Sequence, residues 1–264
     1  SQTPCVVAQY NMSTRTWADA GNAAASFDGT SIYSMLLLPN RSLVVTGDFT
    51  SIGPSTTSSG PWAVFNPSSQ TWAEMPGTFP FATTNVDHSR IFASVMDKSG
   101  SRIFLAGQPP GTQLGTSIAM LLIYDVAMGV YMQVDTSTAT RTSPEAMCLD
   151  QTEENLYINY MVSPAKSQAQ VAVYNIANNT LATIGTGGPT KIRGMAVLLR
   201  DNVYYIAMAG VGSVLYDAAT KSFINLARAM TGLPAIDFRA MYVDYYNNLY
   251  LGSFDGARLY CLPS

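Results

Sequence analysis

Side chains able to do acid–base or nucleophilic chemistry are sparse in this chain. Its single histidine, His88, lies in the run Asn85-Val86-Asp87-His88-Ser89-Arg90. Asp, His and Ser in a row do not make a catalytic triad, because the three must converge in space beside an oxyanion site. His88 therefore stands as a ligand-contact candidate on a loop. One histidine and three cysteines, Cys5, Cys148 and Cys261, offer no zinc-ligand spacing. The aspartates mostly sit where turns are expected (Asp97, Asp150, Asp201, Asp244), and no loop alternates Asp and Asn as a calcium site does. Glu153-Glu154 reads as a solvated hairpin tip. The run Gly185-Thr186-Gly187-Gly188-Pro189 lacks the lysine and the helix of a phosphate loop, and there is no nucleophile elbow. The expectation is a protein without catalytic residues, cofactor or metal.

Residues suited to recognition are more numerous. Trp62 follows a Ser/Thr/Gly/Pro-rich stretch, residues 50–61, and stands outside the aromatic register described below, which makes it a surface ligand-contact candidate. Three sequons, at Asn11, Asn40 and Asn178, fall at expected hairpin turns and would accept glycans in a secretory setting, whereas Asn66-Pro67-Ser68 is barred by its proline. Cys5 precedes the first expected strand and Cys261 lies in the last. A disulfide between them requires those strands to be neighbours; the alternative is three unrelated buried thiols. Cys148, inside an apolar strand, reads as a buried free thiol.

The elements that carry these residues repeat. An aromatic, then Asn or Asp, then a large apolar residue seven positions after the aromatic, recurs five times. The copies are Tyr10-Asn11…Trp17, Phe65-Asn66…Trp72, Tyr124-Asp125…Tyr131, Tyr174-Asn175…Leu181 and Tyr216-Asp217…Phe223. Turn formers separate anchor from follower, so each copy predicts a strand, a tight Asx turn and a returning strand. A second hairpin is expected over 33–47, 91–107, 146–160, 195–207 and 239–252, with turn residues at each tip. Gly47, Gly107 and Gly252 end three of its returning strands, where the backbone bends or approaches a neighbour.

Four antiparallel strands at a period of roughly 42–60 residues describe a β-propeller blade, and the chain length supports five blades at about 50 residues each. The expected fold is all-β, with residues 1–264 forming a single propeller closed by strands from both termini. Five inner hairpins, six third strands and five fourth strands leave one third-type strand over. It would either enlarge the closing blade or pair with another molecule.

Composition narrows the function classes. The chain is 47% hydrophobic and 12% charged, about half the usual charged share, which excludes a disordered chain. A net charge of −3 with 14 basic residues leaves no footprint for nucleic acid, and no apolar run is long enough for membrane insertion. The start at Ser1-Gln2-Thr3-Pro4, without initiator Met, and the scarcity of lysine lead to the expectation of a mature secreted chain or an excised piece.

Residues 34–53, Ser-Met-Leu-Leu-Leu-Pro-Asn-Arg-Ser-Leu-Val-Val-Thr-Gly-Asp-Phe-Thr-Ser-Ile-Gly, with the Trp62–Trp72 stretch that follows, resemble the extracellular propeller repeats of the fungal cortical cell-polarity marker proteins. The second half is also similar to the Tyr-Asp…Trp half of kelch repeats. Later units lack the Gly-Asp-Phe element and the kelch glycine doublet. The resemblance implies propeller architecture and a surface location. The expected function is a non-catalytic extracellular or cell-surface module, structural or adhesive, with itself, surface proteins or glycans as partners, and with a filament or coat as the specific form. A carbohydrate-binding propeller and a propeller enzyme acting on sugars or small molecules are the alternatives, since fold alone does not separate them.

Overall fold

The computed structural model describes residues 7–21, 27–52, 60–81, 89–110, 120–134, 144–161, 169–184, 192–200, 203–210, 213–226, 238–253 and 259–262, a few of them at strand ends by backbone alone. The chain gathers into two compact units, residues 1–113 with 120–135, and residues 114–119 with 136–264.

In the first unit, β1 (Ala8–Asn11) and β2 (Thr16–Asp19) form a two-stranded sheet. Two four-stranded antiparallel sheets follow. One runs β3 (Phe27–Leu37), β4 (Leu43–Ile52), β5 (Trp62–Asn66), β6 (Thr71–Glu74); the other runs β7 (Arg90–Met96), β8 (Arg102–Gln108), β9 (Met120–Asp125), β10 (Val130–Gln133). In the second unit, β11 (Pro144–Leu149), β12 (Asn155–Met161), β13 (Ala169–Asn175) and β14 (Thr180–Ile184) make one four-stranded sheet. Another comprises β15 (Ile192–Arg200), β16 (Val203–Gly210), β17 (Val214–Asp217) and β18 (Ser222–Asn225). A three-stranded sheet holds β19 (Phe238–Val243), β20 (Leu249–Ser253) and β21 (Leu259–Leu262). Every described element is a strand, and each sheet follows sequence order, as in propeller blades. The expected inventory of five inner hairpins, six third-type and five fourth-type strands is present.

The seven-residue offset has a direct cause. Anchor and follower are Cα partners across one hairpin: Tyr10↔Trp17, Phe65↔Trp72, Tyr124↔Tyr131, Tyr174↔Leu181 and Tyr216↔Phe223. Where both are aromatic, the rings lie 4.9–5.0 Å apart, a separation at which aromatic pairs attract. The Asn or Asp after each anchor accepts backbone N–H bonds from the turn: Asn11 from Ser13 and Thr14, Asn66 from Ser68 and Ser69, Asp125 from Ala127 and Met128. Asn175 and Asp217 repeat this with Asn178 and with Ala219 and Thr220. Each turn closes on a left-handed residue four positions on, namely Arg15, Gln70, Gly129, Asn179 and Lys221, with φ between 52° and 66°.

The inner hairpins use a second repeated turn. Asp97 accepts from Ser101 N, Arg102 N, Ser101 Oγ and Arg102 Nε at 2.8–3.1 Å. Asp150 accepts from Glu154 N and Asn155 Nδ2, and Asp244 from Asn248 N and Nδ2. Burial by itself would raise the Asp97 pKa, but the bonds from Arg102 and Ser101 outweigh it and hold the carboxyl below its ordinary range.

Between the sheets lie the cores. In the first unit Val44, Trp62, Ile91, Ile103, Leu105, Leu122 and Tyr124 interdigitate. In the second, Tyr157, Val171, Ile192, Met208 and Tyr216 form one cluster, and Leu198, Ala207, Leu215, Phe238, Leu249 and Leu251 another. Each fully buried aliphatic or aromatic side chain contributes roughly 1.5–3 kcal/mol. Cys148 belongs to the second unit's core as a buried free thiol, and burial pushes its pKa up, away from reactivity.

Candidate functional site

Each of the five inner hairpins is interrupted by a register shift at one equivalent place in its first strand. The shifts fall between Ile32 and Ser34, Ile91 and Ala93, Pro144 and Ala146, Ile192 and Gly194, and Phe238 and Ala240. The residues left out of the pairing are Tyr33, Phe92, Glu145, Arg193 and Arg239. A bulged residue is freed from the alternation that dictates its neighbours, which is why bulges re-aim side chains beside functional sites. The bends also explain Gly47 and Gly107. A Cβ on Gly47 would overlap the Ser31 carbonyl oxygen, and one on Gly107 the Arg90 carbonyl oxygen, whereas Gly252 meets Ala240 Cβ at an ordinary 3.4 Å.

In the first unit the bulged residues make an aromatic pair: the Tyr33 and Phe92 rings lie 5.0 Å apart. Behind them Arg90 Nε pairs with the buried Asp48 carboxylate at 3.1 Å, and Ser94 Oγ donates to Ser34 Oγ at 2.8 Å. Burial, and after it the Asp48 charge, raises the Tyr33 pKa, with Ser31 and Arg90 opposing. The phenol stays protonated at neutral pH and is a donor, not a base. In the second unit the same places hold Glu145 and two arginines. Beside them, fully buried Asn159 donates from Nδ2 to Ile192 O at 2.7 Å, joining two sheets. Asn159 Oδ1 and Arg193 Nε are shielded from solvent without a hydrogen-bond partner. One unit thus offers a ring face and the other, at Glu145 and Arg193, a polar pair of opposite charge. Among the described residues, neither set pairs a nucleophile with an adjacent base. Among the described residues no group of three His, Cys, Asp or Glu side chains converges as a metal site.

A second kind of surface lies on the two sheets with fewer than four strands. Tyr10 is 44% and Trp17 71% exposed, although the counterparts of Tyr10, Phe65, Tyr124, Tyr174 and Tyr216, are buried and those of Trp17, Trp72, Tyr131, Leu181 and Phe223, are half-buried. On the β19–β20 turn, Tyr245 and Tyr246 are 96% and 76% exposed, with rings 5.6 Å apart. On the β1–β2 turn, Met12 is 84% exposed. The four most exposed large apolar side chains of the described residues, Tyr245, Met12, Tyr246 and Trp17, all belong to these two sheets. The Tyr245–Tyr246 turn is held in place by Asn247, whose side chain binds both N and O of Leu199.

Of the residues singled out in the sequence, Trp62 is corrected. It is 2% exposed, packs edge-on against Tyr124 at 4.8 Å and donates from Nε1 to Tyr131 Oη at 2.8 Å. Trp62 opens β5, a strand buried on both faces, and its side chain enters the core with Val44, Ile91 and Ile103, so it is a core residue. His88 and Cys5 lie outside the described residues, and Cys261 is described by its backbone, opposite Tyr250. Asn11, Asn40 and Asn178 are all exposed at turns. The bulged residues left no mark in the sequence, since no one residue type is common to the five; Gly47 and Gly107 were the available signal.

No family model matches the chain, and no curated protein matches it in sequence. Among solved structures it is similar to a chain in a crystal structure of a nidogen/laminin complex, with a TM-score of 0.60 and 9% identity, over 96% of this chain and 81% of that one. It is also similar to the extracellular domain of a putative one-component system from B. thetaiotaomicron, with a TM-score of 0.50 and 11% identity over 97% of this chain. The chain spans 37% of the length of that second structure. At these identities the likeness shows the fold alone, an all-β protein built from the four-stranded sheets of a β-propeller.

Proposed function

We propose that the chain is a non-catalytic extracellular or cell-surface β-propeller module, structural or adhesive, that works through protein–protein contact and assembles with copies of itself. The observation carrying this reading is the gathering of the most exposed apolar side chains on the two incomplete sheets. Exposed apolar side chains that cluster, as the rings of Tyr245 and Tyr246 do on one turn and those of Tyr10 and Trp17 on one hairpin, mark an interaction site. The nidogen/laminin and one-component-system neighbours support an interaction role and an extracellular setting, and so does the resemblance of residues 34–72 to fungal surface repeats. Glycans on Asn11, Asn40 and Asn178, and a Cys5–Cys261 disulfide, belong to the same reading. Intact mass and non-reducing peptide mapping of protein from its native source test it together with native-state sizing. Hexose-bearing asparagines, a bridged Cys5–Cys261 and large assemblies are expected. Bare asparagines, reduced thiols and a monomer at high concentration would overturn it.

A carbohydrate-binding reading is favoured by one observation, the exposed Tyr245–Tyr246 pair with Tyr242 nearby on β19. It predicts glycan-array binding that Tyr245→Ala abolishes.

A further inference from the structure

We propose that the bulged rings of Tyr33 and Phe92, with the Asp48–Arg90 pair beside them, form a binding site for a neutral saccharide. The site goes beyond the assembly reading above and is separate in sequence from the Tyr245–Tyr246 turn. All of its residues belong to the first unit, on β3, β4 and β7. Bulges at one equivalent place in β3 and β7 release Tyr33 and Phe92 from the strand alternation. Their rings meet at 5.0 Å with planes tilted by 45°, and Tyr33 stays 43% exposed. Polar groups border the pair. Ser31, the Cα partner of Asp48, shares a side-chain hydrogen bond with the Tyr33 hydroxyl, and the Asp48 and Arg90 charges both act on that phenol. Arg90 stands two positions before Phe92, and its Nε lies 3.1 Å from Asp48 Oδ1. The ion pair reaches solvent, with 31% of the Arg90 side chain and 11% of the Asp48 side chain exposed.

The chemistry of this set selects its occupant. A carboxylate and a guanidinium that neutralise each other give a cation or an anion no net attraction. A purely apolar ligand would gain from the rings, but it would strip water from the ion pair without replacing the lost hydrogen bonds. A pyranose ring meets both demands. Its C–H face packs on an aromatic ring, while its hydroxyls donate to the carboxylate and accept from the guanidinium. The rings are also held in place before any ligand arrives. Ser94 Oγ donates to Ser34 Oγ at 2.8 Å, tying β7 to β3 within two residues of each ring. Gly47 and Gly107 let the paired strands close tightly against the two bulges. A site already ordered in this way lowers the cost of binding.

The test is a glycan array carrying neutral, sialylated and sulfated saccharides, followed by calorimetric titration of the full chain with the strongest neutral ligand. Tyr33→Leu and Phe92→Leu each remove a ring and keep apolar bulk, and Tyr245→Ala tells this site from the β19–β20 turn. Expected are binding of neutral saccharides and at least tenfold weaker binding by both leucine variants, with melting temperatures close to wild type. Tyr245→Ala should bind as wild type does. In the wild type, nuclear Overhauser contacts should link sugar C–H protons to the ring protons of Tyr33 or Phe92, a readout that needs no variant. Leucine variants that bind as wild type, or Overhauser contacts to other rings only, overturn this site. Loss in Tyr245→Ala alone overturns it too and moves saccharide binding to the β19–β20 turn. An array bound only through sialylated or sulfated saccharides, or not bound at all, overturns the proposal and leaves the self-assembly reading standing.

Discussion

Two hairpins of this molecule are built from nearly the same words and end in opposite environments. The β1–β2 hairpin closes on Thr16-Trp17-Ala18-Asp19 and the β5–β6 hairpin on Thr71-Trp72-Ala73-Glu74. Their Asx turns match, their left-handed residues Arg15 and Gln70 have φ of 56° and 55°, and both ring pairs sit 5.0 Å apart. Yet Phe65 is buried and Tyr10 exposed. Local sequence therefore encodes the hairpin, whereas burial is conferred by the inner strand that, among the described residues, only β5 possesses.

Truncating the two anchors breaks the comparison most sharply. Phe65→Ala is expected to cost about 3–5 kcal/mol of unfolding free energy. Tyr10→Ala, measured at a dilution where chains are separate, is expected to stay within about 0.5 kcal/mol of wild type. Equal losses in chemical denaturation would mean that Tyr10 is covered within its own chain. The next largest effect contrasts two glycines at equivalent strand ends. Gly107→Ala forces a Cβ against the Arg90 carbonyl and should cost about 1–3 kcal/mol, while Gly252→Ala, with an ordinary contact awaiting it, should melt close to wild type.

Asp97 comes next. Asp97→Asn should cost about 1–2 kcal/mol at neutral pH, through weakened bonds to Arg102 and Ser101. Because its folded pKa lies below the unfolded reference of 3.8, that contribution is complete above pH 3.8 and disappears as pH falls through the lower folded value. Wild type and variant should converge in acid, and a gap that widens there contradicts the assignment. The smallest effect sharpens the likeness of the two hairpins. Gln70→Gly and Arg15→Gly each relieve a left-handed side chain and should raise stability by about 0.5 kcal/mol or less after glycine's entropy cost. A difference between the two sites would show that the turns are not equivalent.

Much of this architecture was legible in the residues, because the anchor, the Asx and the follower are each required by one local event, a cross-strand pair closed by a side-chain-capped turn. The same logic exposed the inner hairpins through Asp97, Asp150 and Asp244. Trp62 was misread because it lies outside the anchor register; its burial follows from packing against Tyr124 and Tyr131, 62 and 69 positions away, which no local pattern encodes. The five bulges were hidden for a related reason. A bulge is a property of how two strands pair, and Tyr33, Phe92, Glu145, Arg193 and Arg239 share only a place in that pairing. The surplus third strand, by contrast, was countable from the repeats, since counting needs no distances.

The most direct measurement is amide hydrogen exchange over the β1–β2 hairpin and the β19–β20 turn, read as protein concentration rises from separate chains to assemblies. Protection at these two places should rise with assembly, while β5 and β9 stay protected throughout. Protection there that does not change with concentration would contradict the account, because the exposed side chains would then not be where copies meet.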